Sequence, residues 1–144
     1  GNNEDGMDVA IVCIEKINEQ KYKVTFSGAK RNLLVFTDNQ IIEFQGDRKS
    51  IGGGADKKDS ISFNDVVIQL NKGDMLYLYS DGFTDAANIN RRSLGKKKLV
   101  QKLENIANLP CAEQKNQLEE MLEEHQKDTE QRDDITLWGV RLTI

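Results

Sequence analysis

The stretch from Asp74 to Asp85 (Asp-Met-Leu-Tyr-Leu-Tyr-Ser-Asp-Gly-Phe-Thr-Asp) constrains the fold of this chain more than any other. Its first half alternates or runs apolar and aromatic, which suits a strand buried on one or both faces. The run stops at Ser80-Asp81-Gly82. A carboxylate at the end of a buried strand is costly unless it meets water, a partner or a metal ion. Gly82 lets the backbone turn tightly there, and Asp85 follows just beyond. A rigid strand presenting an acidic loop is the support a metal site needs.

Upstream of this stretch the pattern is that of strands. Met7–Glu15 is β-rich and predicts a central strand. Asn18–Lys21 is polar enough for a hairpin turn into Tyr22–Ser27, which alternates well, and Gly28–Asn32 breaks the pattern. Leu33–Phe36 and Gln40–Phe44 flank Thr37-Asp38-Asn39, a short hairpin connection. Gly46–Ser60 is charged and loose. Its Gly52-Gly53-Gly54 reads as a flexible loop, because no Gly-Lys-Ser/Thr follows to make a phosphate cradle. Ile61–Leu70 resumes the strand pattern, and Asn71–Asp74 turns the chain into the central strand. Six or seven strands result, mostly antiparallel because their connections are short.

After Asp85 the period changes. From Ser93 to Asn108, Leu99, Val100, Leu103, Ile106 and Ala107 share one helix face, and Leu109-Pro110 ends that helix. A second helix, from Ala112 to about Asp128, places Leu118, Met121, Leu122 and His125 on one face and Glu119, Glu120, Glu123 and Glu124 on the other. Ile135–Leu142 is a closing strand. The fold class is therefore α+β: mostly antiparallel β-sheets with a helix pair packed on one face. At 144 residues, the chain is expected to form a single domain over residues 1–144. No run is apolar enough to span a bilayer and no signal peptide is seen, so a cytoplasmic setting is expected. The net charge of −4 argues against general nucleic-acid binding. Cys13 and Cys111 form no CxxC pattern and fit free thiols in a reducing compartment. Cys13, inside a strand, is expected to be a small buried residue.

Two acidic clusters bracket regular structure: Asp81 and Asp85 after one strand, Asp133 and Asp134 before another. If those strands are antiparallel neighbours, both clusters meet at one edge of the sheet. Carboxylates without His or Cys point to Mg²⁺ or Mn²⁺, ions that commonly serve phosphate-ester hydrolysis. The same spacing also fits aspartates that cap helices or solvate turns, and spacing alone leaves both readings open.

Ser80-Asp81-Gly82-Phe83-Thr84-Asp85 and Asp133-Asp134-Ile135-Thr136 resemble the last two signature motifs of the metal-dependent protein phosphatases of type 2C, and most of all their bacterial SpoIIE-type branch. Asp5-Gly6-Met7-Asp8, Ser27-Gly28-Ala29 and Ile51-Gly52 resemble that branch in order and spacing, so the similarity covers essentially the whole chain. The resemblance implies two bridged Mn²⁺ or Mg²⁺ ions in the complete domain, with Asp81 (beside Gly82) binding one and Asp133 the other. Asp85 matches a position that helps hold a third, weaker ion, and Asp134 would support Asp133 from behind. The implied reaction is hydrolysis of phosphoserine or phosphothreonine without a phosphoenzyme. The implied partner is a bacterial signalling phosphoprotein such as an anti-sigma-factor antagonist.

The chain also departs from the pattern. The branch's earlier motifs, with the metal-bridging Asp, belong upstream of Asp5, and Lys30-Arg31-Asn32-Leu33 replaces a usual Pro. On this reading the chain is the C-terminal part of a catalytic domain and is inactive alone. A sheet face left uncovered would then favour dimerisation. A non-catalytic interaction module with the same fold is the alternative. Arg91, Arg92, Lys96, Lys97 and Lys98, near the start of the first helix, are candidates for docking an acidic phosphoprotein surface, beside the plainer reading of a solvated face. His125 reads as a packed helix residue.

Overall fold

Strand patterning sorts this chain into layers. The computed structural model describes residues 6–52 and 63–143. Its principal strands are β2 (Val9–Lys16), β3 (Lys21–Ala29), β4 (Leu33–Thr37), β5 (Gln40–Phe44), β7 (Val66–Asn71), β8 (Met75–Tyr79) and β9 (Leu137–Arg141). The two-residue strands β1 (Gly6–Met7) and β6 (Ile51–Gly52) pair with each other. One sheet has the order β2-β3-β7 and a second the order β5-β4-β8-β9, and every ladder among the described residues is antiparallel.

β4 and β8 read as continuous apolar runs because both of their faces are covered. Leu33 and Val35 of β4 and Leu76 of β8 meet Tyr22, Val24 and Phe26 of β3 between the two sheets. Leu34, Phe36, Met75 and Tyr77 face the other way, onto α1 (Asp81–Thr84), α2 (Lys96–Ile106) and α3 (Cys111–His125). Leu99, Leu103 and Ile106 of α2 and Leu118 of α3 fill that second core. Sheet, sheet and helices are thus stacked in that order, as the α+β reading expects.

β3 alternates, by contrast, because nothing among the described residues covers its outer side. Ile11 (63% exposed) and Val67 (61% exposed) lie on the outer face of this sheet. Cys13, in the row Cys13–Thr25–Val67, is exposed there rather than buried. The expectation for Met7–Glu15 fails for the same reason. The strand is interrupted at Asp8, β2 is an edge, and β3 is the centre.

Other boundaries also shift. Gly28 and Ala29 continue β3, and the chain turns at Lys30, whose φ is +56°. The strand expected over Ile61–Leu70 is β7, starting at Val66. Residues 1–5 and 53–62, including Asp5, Gly53 and Gly54, lie outside the described residues. The Asp38-Asn39 hairpin forms as expected, with φ of +51° and +62°. A left-handed residue with a side chain carries a conformational cost that Gly does not. Asn39→Gly is therefore expected to stabilise the fold by about 0.5 kcal/mol, measured by urea denaturation. No described helix is long and apolar enough to cross a membrane.

Candidate active site

The end of β8 and the start of β9 are held together beyond the strands themselves. Tyr79 pairs with Leu137. One step on, the Ser80 N–H donates to the Thr136 carbonyl (2.8 Å) and the Thr136 N–H donates to Ser80 Oγ (2.9 Å). Ser80 occupies the N-cap position of α1, yet its hydroxyl caps nothing. It is used to bind the neighbouring segment instead.

Gly82 closes the approach. Its φ is not left-handed, so it is not required for its conformation. It is required for its size: a Cβ at Gly82 would run into the Asp134 carbonyl, with Ile135 Cγ1 next at 3.5 Å. The Asp81-Gly82 turn therefore lies directly against the Asp133–Ile135 segment. The two acidic clusters do meet at one sheet edge.

Asp81 opens α1, and Asp85 closes it by donating its N–H to the Asp81 carbonyl (2.8 Å). All four of Asp81, Asp85, Asp133 and Asp134 are exposed. The Asp133 carbonyl accepts a hydrogen bond from Gln131 Nε2 (2.9 Å). Among the described residues no three His, Cys, Asp or Glu side chains converge closely enough to hold a metal ion.

Arg31, which was given no role from the sequence, enters this edge. Its Nη1 lies 3.0 Å from Asp81 Oδ1 and its Nη2 lies 3.1 Å from Asp8 Oδ2. Asp8 also accepts a hydrogen bond from Ser50 Oγ (3.1 Å). Tyr79 stands beside them. Burial chiefly, with the Glu43 and Asp81 carboxylates adding to it and Arg31 opposing, pushes its phenol above the ordinary range and keeps it protonated. The one available signal for Arg31 was the Lys30-Arg31-Asn32-Leu33 departure. It marked the position without assigning chemistry.

The basic candidates do not form one helix-start patch. Arg91 and Arg92 precede α2 in a loop closed by the Ala87–Ser93 bridge, with Asn88 Oδ1 accepting from the N–H groups of Asn90 (3.0 Å) and Arg92 (2.9 Å). Both are exposed. Lys96 is tied to Glu43 Oε1 at 3.0 Å. His125 is partly buried, and its Nε2 lies 2.8 Å from the Ala86 carbonyl and 3.1 Å from that of Arg92. Both partners are acceptors, so Nε2 carries the proton and clasps this loop.

A family model of Stage II sporulation protein E (SpoIIE) matches residues 1–143. The chain belongs to the SpoIIE family. Among solved structures this SpoIIE-family chain is similar to the SiaA-PP2C domain of Pseudomonas aeruginosa, at 28% identity and a TM-score of 0.80, over 93% of this chain and 51% of that one. It is similar in fold to the phosphatase domain of SpoIIE from Bacillus subtilis, at 17% identity and a TM-score of 0.65, over 95% and 59%. The fold also matches the Mycobacterium tuberculosis serine/threonine phosphatase PstP, at 12% identity and a TM-score of 0.57, over 95% and 61%. The PstP catalytic domain has also been solved in complex with 2 manganese ions. No curated protein sequence matches this chain. The chain spans about half to three fifths of the length of these solved domains. Its fold is that of PP2C-type phosphatase domains.

Proposed function

We propose that this SpoIIE-family chain supplies one side of the active site of a metal-dependent serine/threonine phosphatase acting on a signalling phosphoprotein, such as an anti-sigma-factor antagonist. One observation carries the reading: the Asp81-Gly82 turn is pressed against the Asp133–Ile135 segment. Two carboxylate groups from separate strands share one sheet edge as a result. The donors are oxygens only, which fits Mn²⁺ or Mg²⁺, with waters or other donors filling the rest of the shell. Asp81 would hold one ion and Asp133 the other, while Asp85 flanks a weaker position and Asp134 steadies Asp133. Bound ions supply Lewis-acid chemistry for phosphate-ester hydrolysis.

The residues of this chain do the holding. Ser80 and Thr136 lock the two acidic segments in register, and Gly82 sets their separation. The exposed Arg91-Arg92 loop, clasped by His125, is offered to an acidic protein surface, while Lys96 is paired to Glu43. The outer face of the β2-β3-β7 sheet, which nothing among the described residues covers, is suited to being covered by another layer, either further chain or a second copy.

The test is calorimetric titration of Mn²⁺ into the full-length protein, together with turnover of a phosphoserine peptide. Asp81→Asn and Asp133→Asn are each expected to lower turnover by at least about a hundredfold and to weaken Mn²⁺ binding, with the fold intact by circular dichroism. The 144 residues alone are expected to show no turnover. A second reading, a non-catalytic interaction module, draws on the absence of a three-acid cluster among the described residues. It predicts neither Mn²⁺ binding nor turnover by the full-length protein.

A further inference from the structure

We propose that Arg31 is a phosphate-binding residue of this site, its guanidinium held by Asp8 and Asp81 so as to receive the phosphoryl oxygens of the substrate. The inference rests on the phosphatase reading and adds a substrate contact to it.

The first argument is charge. A phosphorylated Ser or Thr carries about −1.5 to −2 at neutral pH. The edge that must receive it already bears Asp8, Asp81, Asp85, Asp133 and Asp134. Of the cations in described ion pairs, Arg31 is the one that reaches these acids. Bound divalent ions would offset part of that charge, and a fixed guanidinium beside them adds attraction for the phosphate that does not depend on the ions.

The second argument is position. Arg31 lies in the short crossover from β3 to β4, at the seam between the two sheets. Its carbonyl is wedged between Gly28 and Gly46, and a Cβ at either position would run into it. Asn32 Oδ1 accepts the Gly46 N–H (3.0 Å), which closes the wedge. The backbone beneath the side chain is therefore set by packing, and Asp8 and Asp81 aim the guanidinium. A positioned fork loses less freedom on binding a phosphate than a mobile surface cation would.

The third argument is capacity. A guanidinium has five N–H donors, and its two ion pairs leave donors over for phosphate oxygens. Its side chain is 24% exposed, so it is partly withdrawn from water yet open on one side. A simple clip between Asp8 and Asp81 would account for the ion pairs too. The two roles differ in what their loss removes.

The experiment measures inorganic phosphate affinity by calorimetry, and KM for a phosphoserine peptide, on the full-length Mn²⁺-loaded protein. Arg31→Ala is expected to weaken phosphate binding and raise KM by about ten- to a hundredfold, with Mn²⁺ affinity undiminished. Arg31→Lys keeps the charge but loses the fork, and is expected to recover part of the loss. Unchanged phosphate affinity in a folded, Mn²⁺-binding Arg31→Ala protein overturns the proposal. So does a parallel loss of Mn²⁺ affinity in both variants, which would make Arg31 a clip. Should Arg31→Ala fail to fold, Arg31→Lys decides: wild-type phosphate affinity overturns the proposal, and a several-fold loss at wild-type Mn²⁺ affinity supports it. A wild-type protein that neither binds Mn²⁺ nor turns over phosphopeptide overturns the phosphatase reading and this inference together. Wild-type turnover that neither variant alters overturns this inference alone.

Discussion

Gly82→Ala is expected to weaken Mn²⁺ binding by the full-length protein at least about tenfold and to destabilise the fold by about 1–3 kcal/mol. The added methyl group would meet the Asp134 carbonyl, a backbone atom that cannot rotate away. Either the α1 turn or the Asp133–Ile135 segment must retreat. Retreat strains the hydrogen bonds between Ser80 and Thr136, and it separates Asp81 from Asp133. Calorimetry and urea unfolding read the two effects. Gly73→Ala is the control. Its φ of +95° makes Ala unfavourable, yet nothing lies within 4 Å of the added Cβ. It should cost about 1 kcal/mol and leave Mn²⁺ affinity as it was. Equal Mn²⁺ affinities for wild type and Gly82→Ala would mean that the close approach does not set the site.

Gln114→Ala is expected to destabilise the protein by about 2–4 kcal/mol, measured by urea unfolding. Gln114 is the buried polar side chain of the described core, at 4% exposure. Its Oε1 accepts from the Tyr77 hydroxyl at 2.6 Å, and its Nε2 donates to the carbonyls of Ala107 (3.1 Å) and Leu109 (2.8 Å). Arg141 Nη2 donates to the same two carbonyls, at 2.8 and 2.7 Å. One side chain therefore joins the end of α2, the start of α3 and strand β8. Burial pushes the Tyr77 phenol far above its ordinary range, so it remains a donor across the working pH. Truncation at Gln114 strands that hydroxyl and leaves a void. The two carbonyls keep Arg141, which limits the loss. A change below about 0.5 kcal/mol would show that water replaces the amide without cost.

Much of the fold was legible because burial leaves its period in a sequence. Met75–Tyr79 suited a strand buried on one or both faces and Leu33–Phe36 one arm of a hairpin, and both are covered on both faces. Leu99, Leu103 and Ile106 fall at helical spacing, and they are the face of α2 that packs on the sheet. Asp38-Asn39 announced its own turn. Met7–Glu15 misled because β-branched residues mark a strand without saying what lies against it. Ile11 and Cys13 look like core residues, yet they sit on a face that nothing among the described residues covers. The ends of α2 and α3 were misjudged by a few residues, since chain ends of helices are set by local caps as much as by period.

The site divides in the same way. Asp81, Asp85, Asp133 and Asp134 were candidates from the sequence because each cluster adjoins a recognisable strand and belongs to an ordered set of motifs, and the fold brings their two segments together. The part played by Arg31 could not be named in advance, because its ion pairs to Asp81, 50 residues away, and to Asp8, 23 residues away, leave no local pattern. Nor could Gln114, whose neighbours come from three separate elements.

Local chemistry along the chain settles which segments are strands or helices, where the turns fall, and which acids are candidates, because those properties depend on neighbours a few residues away. Which acids share an edge, which cation reaches them and which faces the described residues leave exposed follow from how β8 pairs with β9 and how the sheets stack. Those are long-range contacts, and their free energy is spread over partners that no window of sequence contains.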